Sequence, residues 1–345
     1  MAASNTFGKI FTLTTFGESH GTAIGGIVDG MPAEIALDEA FIQGELDRRR
    51  PGSSALTTSR SEADRVHLLS GVFEGRSTGT PIGFVIENTS QHSSDYDNMR
   101  HVFRPGHADY TYMAKYGIRD HRGGGRSSAR ETAARVVGGA LAKLALRTSG
   151  ITVNAWAERI GTAVNIGEGA LTPDMERQIM EARAAGDTLG GVVGCRVCGC
   201  PAGLGDPVFG RLQARLAEAL MGINAAHGFE YGMGFDGASK RGSQVIDNWQ
   251  SDPSDPRGIR ARANNSGGIQ GGISNGEDIV MRVAFKPVAT MLRDVETIDR
   301  DGNSVVVKAR GRHDPCVLPR AVPVVEAMVA MVILDAWLLN KTTHM

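Results

Sequence analysis

Cysteine is scarce in this chain. Four in 345 residues, Cys195, Cys198, Cys200 and Cys316, make no disulfide framework and imply a reducing cytoplasm. Net charge is nearly absent as well. There are 37 Lys and Arg against 38 Asp and Glu, a balance of −1 that argues against nucleic acid or an anionic membrane as partner. The start, MAASNTFGKIF, lacks the long apolar stretch of a signal peptide. An uninterrupted bilayer-spanning run is missing too. The nearest approach, AVPVVEAMVAMVILDAWLL, is broken by Glu326 and Asp335 and reads as a buried helix, in a core or a subunit interface. There is no Gly-Lys-Ser/Thr phosphate loop and no GxGxxG between strand and helix, so a Rossmann cofactor site is not expected. Cys195, Cys198 and Cys200 lie in the strand-like VVGCRVCGCPA with no second cluster. Small buried residues explain them better than a metal or redox site.

What the chain does have is glycine, 45 residues of it, and arginine gathered in places. The densest place is 104–131, RPGHADYTYMAKYGIRDHRGGGRSSARE, with five arginines, two histidines, a triple glycine and a paired serine. Arginine suits bidentate contact with phosphate or carboxylate, and glycine lets backbone approach a ligand. Ser128 and Glu131 have capping-box spacing, so a helix is expected from Ser128 to about Thr148, with Ala133, Val136, Val137, Ala140, Leu141 and Leu144 as its apolar stripe. Gly138 and Gly139 weaken that helix by about 1 kcal/mol each, which close helix packing would explain. A glycine-rich loop feeding a helix N-terminus is a ready anion site. An RNA-binding reading fails, because there is one such stretch, in an ordered setting, on a near-neutral chain.

Elsewhere, residues 8–29 read as strand, turn, strand. Asp38 caps a helix bearing Phe41, Ile42, Glu45 and Leu46 that ends in Arg48, Arg49 and Arg50. Three consecutive arginines cannot share one helix face, so one or two of them can turn inward to a ligand. Residues 66–87 read as two strands around a glycine turn, and 88–103 as loop. Thr172–Pro173 and Asp206–Pro207 predict helices over 173–185 and 207–226. Asp301–Gly302 predicts a hairpin turn.

The chain also repeats itself. GVFEGRSTGTPI at 71–82 matches GIQGGISNGEDI at 268–279, with glycines 71, 75 and 79 on 268, 272 and 276, and Ser77 on Ser274. VDGMPA at 28–33 resembles VCGCPA at 197–202, and GRSSAR at 125–130 and GRHDPC at 311–316 each precede a long helix. Two duplicated halves, about 1–150 and 190–345, within a single domain over 1–345 are expected, with one site between them.

His20, in GESHG, and His107, in RPGHAD, sit in glycine turns and are the natural proton-transfer groups near neutral pH. A lone histidine is more often structural; two in such turns, each near arginine or serine, shift the balance toward function. Asp314 beside Arg312 and His313 is either a salt-bridge partner or a base. His121 and His313 are secondary candidates.

These motifs together resemble the chorismate synthase family: GESHG at 17–21, DRRRPG at 47–52, FRPGHADYTYMAKYG at 103–117, RGGGRSSARET at 122–132, GFDGASKRGSQ at 234–244, GGISNG at 271–276 and GRHDPC at 311–316. They span nearly the whole chain in family order. The resemblance implies a lyase that converts 5-enolpyruvylshikimate-3-phosphate to chorismate by 1,4-anti elimination of phosphate, with reduced FMN and no net redox change. It implies that His20 protonates the departing phosphate, that His107 is an acid toward the reduced flavin, and that Asp314 helps the flavin accept the ring proton. Ser19, Arg48, Arg49 and Arg60 would bind substrate anions. Arg126, Ser127, Ser128, Gly271, Lys286, Pro287, Val288, Ala289, Thr290 and Arg312 would contact the flavin. The implied fold class is α/β of the α+β type, a β-α-β sandwich with helices between antiparallel sheets, in a cytoplasmic homotetramer. Bifunctional members of the family reduce their own flavin with NADPH and others rely on an external flavin reductase, with NADPH an indirect reductant; no extra reductase domain is visible here, which favours the second. Two departures from the family pattern are Ala55, where a basic residue is usual, and KPVATM, which keeps Thr290 but loses other hydroxyls. Another phosphate-handling flavoprotein of this fold, or an inactive relative, would be the alternatives; retention of His20, His107 and Asp314 argues against inactivity.

Overall fold

The computed structural model describes residues 5–50, 52, 63–89, 93–308 and 314–343. Two five-stranded antiparallel sheets enclose a helical layer. The first runs in the order Thr6–Phe7, Thr12–Gly17, Ala23–Asp29, Ile82–Glu87, Val66–Leu68. The second runs Ala226–Tyr231, Ile279–Phe285, Gly191–Cys198, Thr152–Ile160, Ala163–Val164. The helices are α1 (Glu39–Arg49), α2 (Asp109–Tyr116), α3 (Thr132–Arg147), α4 (Pro173–Ala184), α5 (Leu212–Met221), α6 (Gly242–Val245) and α7 (Leu318–Asn340). The α+β sandwich expected for this fold class is what is found.

The middle layer is α3 against α7. Val136, Val137, Ala140 and Leu141 of the expected stripe are buried, and so is nearly all of α7 from Val324 to Ala336. The two glycines in α3 set the approach of the helices: a Cβ on Gly139 would lie 2.2 Å from Ala327, and one on Gly138 3.0 Å from Leu13. Glu326 and Asp335, which interrupt the apolar run, are buried with dedicated partners. Glu326 takes Arg48 (2.7 and 2.9 Å), Lys143 (2.5 Å) and the Ala155 N–H (2.9 Å). Asp335 accepts the N–H groups of Lys9, Ile10 and Phe11 and pairs with Arg215. Helix α7 is long and apolar enough to cross a membrane, yet it is mostly buried inside the sandwich.

Three element boundaries differ from expectation. Ser128 caps a 3-10 turn, Ala129–Glu131, and α3 begins only at Thr132, because Glu131 pairs with Arg135 instead of reaching back to the cap. Asp206 opens no helix: its backbone N–H bonds to the Gly210 carbonyl and closes a loop, so α5 starts at Leu212. Helix α2, inside the arginine-rich stretch, was not expected; it stops at Gly117, whose φ is 73°. The second sheet also takes in Thr152–Ile160, which lies between the two halves expected at about 1–150 and 190–345.

The two sheets share a plan. The hairpin Val72–Phe73/Arg76–Ser77 and the hairpin Ile269–Gln270/Ile273–Ser274 hold the matched glycines, all six with positive φ. Ser77 donates to the Pro32 carbonyl (2.6 Å) and accepts from Ile35 N–H (3.0 Å); Ser274 donates to Pro201 (2.6 Å) and accepts from Leu204 N–H (2.8 Å).

Candidate active site

The C-terminal end of α1 and the N-terminal ends of α3 and α7 converge on one cavity of about 460 Å³. From the expected site residues it is lined by Arg49, His107, Ser127, Ser128, the run Lys286–Thr290 and Asp314. Arg60 and Arg312 lie outside the described residues, as do Ala55 and His313.

The triple glycine explains how two histidines reach one place. A Cβ on Gly123 would sit 2.4 Å from Cε1 of His20 and 2.9 Å from the Ser19 hydroxyl. A Cβ on Gly124 would sit 2.9 Å from Cε1 of His107. Both glycines have positive φ, so the loop threads between the imidazoles in a conformation and a space that only glycine fits. His20 is 6% exposed, its Nδ1 3.2 Å from Ser19 Oγ, and its ring meets the edge of Tyr96, which also lines the cavity. His107 has Nδ1 3.0 Å from Asp109.

Arginine charge is concentrated on one wall. Arg49 is 1% exposed and is held by Thr132 (3.2 Å), Asp64 (3.2 Å) and the Ala129 carbonyl (2.7 Å). Burial and the neighbouring Arg320 push its pKa down to about 9, against Asp64, so it is cationic at neutral pH. Asp64 bridges Arg49 to Arg130, which also lines the cavity, and it takes a left-handed φ of 45° to do so. Beside Arg49, Arg320 pairs with Asp314 and donates from Nε to the Arg49 carbonyl (3.1 Å). Among the described residues, four cations line the cavity, Arg49, Arg130, Arg320 and Lys286, with Asp314 beside Arg320 and Asp64 behind Arg49 and Arg130. The arrangement suits a polyanionic ligand.

Five of the described expected residues do not line this cavity: Ser19 and His20 lie against Gly123, and Arg48, Arg126 and Gly271 lie elsewhere. Arg48 lies about 100° around α1 from Arg49 and turns to Glu326 and Glu45. Arg126 binds Gly17 O (3.2 Å), Asn5 (3.1 Å) and Thr15 (2.7 Å), facing a neighbouring cavity of about 620 Å³ that shares Ser127. Gly271 is at a hairpin tip facing open space. His121 is outside the cavity lining, its pKa lowered by burial and by Arg100. Cys195 and Cys200 are buried, and burial pushes the Cys200 thiol up to about 12, which suits inert packing. Among the described residues no His/Cys/Asp/Glu group could hold a metal.

The structure adds Arg130, Asn224, Ala225 and Arg320. Asn224 donates to the Ser127 carbonyl (3.1 Å), while its Oδ1 is buried and has no partner among the described residues. An orphan acceptor in a cavity wall is what a ligand N–H would satisfy. Arg130 stood in the arginine-rich stretch; Asn224, three residues past the end of α5, carried no signal.

A family model describing chorismate synthase matches residues 11–338. The chain is 56% identical to the chorismate synthase of Bacteroides fragilis over 359 aligned positions, covering 99% of each chain. It is 55% identical to that of Bacteroides thetaiotaomicron, again over 99% of each. A solved structure described as a crystal structure of chorismate synthase superposes with a TM-score of 0.75 at 31% identity, over 96% of this chain and 93% of that one.

Proposed function

The chain belongs to the chorismate synthase family, lyases of the shikimate pathway, and from that premise we propose how its residues carry the reaction. The substrate is 5-enolpyruvylshikimate-3-phosphate, with two carboxylates and a phosphate, and the observation that carries the reading is the cationic wall of Arg49, Arg130, Arg320 and Lys286 around a cavity lined by His107 and Asp314. Arg49 and Arg130, held rigid by Asp64, bind and orient the anion. His20, beside Ser19, gives a proton to the departing phosphate, which makes it a better leaving group. His107 holds a proton at the opposite side of the glycine loop. Asp314, kept in place by Arg320, is the carboxylate that helps receive the ring proton.

Reduced FMN is the cofactor this family implies, and the residues present fit it. Asn224 offers an unmet acceptor, Ser127 and Ser128 offer hydroxyls, and the segment 286–290 offers backbone and a lysine whose Nζ is 2.7 Å from Gly106 O. When bound, the reduced flavin supplies electron density to the ring undergoing elimination. Anaerobic assay with dithionite-reduced FMN is expected to release phosphate and chorismate. His107→Ala and Asp314→Ala are each expected to keep the fold and slow turnover by about 100- to 10,000-fold. Flavin binding without phosphate release, or near-normal turnover in both variants, would overturn the reading.

NADPH serves only through an external flavin reductase, so NADPH with oxidised FMN alone should give no turnover. Buried free thiols at Cys195, Cys200 and Cys316 support a cytoplasmic setting. The exposed apolar side chains Phe235, Ile246 and Trp249 support assembly into a homotetramer, which sedimentation would test. The shared order of three adjacent strands in each sheet and the paired serine bonds support one duplicated domain.

A further inference from the structure

We propose that Asp109 is the positioning residue that fixes the tautomer and orientation of His107, so that Nε2 is the atom through which His107 exchanges its proton. The inference rests on reading His107 as a proton-transfer group. Asp109 is the first residue of α2 and is 2% exposed. Arg104 grips it with Nε (2.7 Å), Nη2 (2.9 Å) and its backbone N–H (3.1 Å), and Arg119 lies 3.0 Å away as an ion pair. Burial would raise its pKa, but the hydrogen bonds from Arg104 and His107 outweigh that and hold it ionised.

An ionised carboxylate only accepts hydrogen bonds. The 3.0 Å contact with His107 therefore requires a proton on Nδ1 whether the ring is neutral or charged. Only Nε2 can then gain and lose a proton. That edge of the ring abuts Gly124, where a Cβ would lie 3.3 Å from Nε2. Two guanidinium groups on one carboxylate over-neutralise it, so Asp109 acts on His107 through geometry and the shared hydrogen bond more than through charge. The arginines make the carboxylate rigid, and the carboxylate makes the imidazole rigid.

The direct test is nitrogen NMR on the wild-type enzyme with labelled histidine, the His107 signals assigned by their loss in His107→Asn. Above the histidine pKa, a protonated Nδ1 and a bare Nε2 are expected; the reverse tautomer would overturn the proposal whether or not any Asp109 variant folds. In Asp109→Asn the amide can donate to Nδ1 and flip the tautomer, a change that behind a catalytic histidine costs up to about 10,000-fold. Here kcat should fall about 100- to 10,000-fold with KM within about threefold. The double variant with His107→Asn should be no slower than His107→Asn alone. Near-normal kcat in Asp109→Asn, or losses that multiply in the double variant, would sink the proposal. Normal turnover in His107→Asn alone would instead remove the proton-transfer reading and leave the tautomer result standing.

Discussion

In the first half of the molecule, α1 runs down to the cavity and ends in Arg49; in the second half, α5 runs to the same cavity, and Asn224 follows it. The helices behind them also differ at the cavity. The approach to α3 carries Ser127, Ser128 and Arg130, whereas that to α7 carries Asp314 and Arg320, which pair with each other. One architecture thus presents two buried arginines from one side and, from the other, a half-buried lysine and arginine together with an amide and backbone. A site between two such walls can take two ligands, an anion where the cations meet and a planar cofactor beside the amide. The residue at a shared position decides the chemistry, while the shared backbone decides only that it faces the cavity.

The largest effect should come from removing a buried arginine. Arg49→Met removes a buried cation that faces the anion and strands Asp64 between fewer partners. A loss of about 100- to 1,000-fold in kcat/KM is expected, the scale for removing one preorganised donor. Asn224→Ala should cost about tenfold, and in flavin affinity, since one hydrogen-bonding group is worth about 1.4 kcal/mol. Steady-state kinetics with substrate and flavin varied separately would check this. Equal losses in the same parameter would mean that the two walls are not specialised.

A second, smaller effect separates the halves by acid. Glu326 joins α7 to α1 and α3: burial would raise its pKa, but the Arg48 hydrogen bond and the charges of Lys143 and Arg48 outweigh that and depress it. Asp64 is depressed likewise by Arg49 and Arg130 against its burial. A carboxylate with a folded pKa below its unfolded value contributes stability that is complete above about pH 4–5 and is lost as pH falls through the folded value. Denaturant midpoints should therefore drop below about pH 4, and Glu326→Gln should flatten that drop while lowering stability at pH 7. An unchanged acid slope would show that the helix junction does not carry the acid sensitivity.

How much of this was legible beforehand depended on the kind of signal. Periodicity located α3 and α7, because an apolar stripe over many turns has few alternatives. Cap spacing rightly marked Ser128, which caps the 3-10 turn leading into α3, but misled at Asp206, since short polar residues close turns as readily as they open helices. The tract Arg48–Arg50 foretold inward and outward arginines without saying which, because that depends on how α1 rotates against α7. Arg48 proved to be the structural one. Arg104 and Asp109 were in view throughout, but their mutual grip follows from the turn at Gly106, not from their separation in sequence. Asn224 was invisible, as a single uncharged residue after a helix says nothing until the cavity is seen.

The smallest effect tests the sameness of the halves instead of their difference. Ser77 and Ser274 are 4% and 3% exposed, and each joins a proline carbonyl to an N–H three residues further along. Alanine at either position leaves one carbonyl and one N–H, part-buried in three of the four cases, without that partner, at a cost of about 1 kcal/mol. If the two hairpins are equivalent parts of one plan, the two losses should agree and add in the double variant, since sites with no shared partners behave independently. Neither change touches a cavity-lining residue, so kcat should hold in both. Unequal losses would mean that the matching bonds are geometric coincidence, carried by packing that differs around them. Equal losses with unequal effects on kcat would mean that one hairpin is coupled to the site and the other is not.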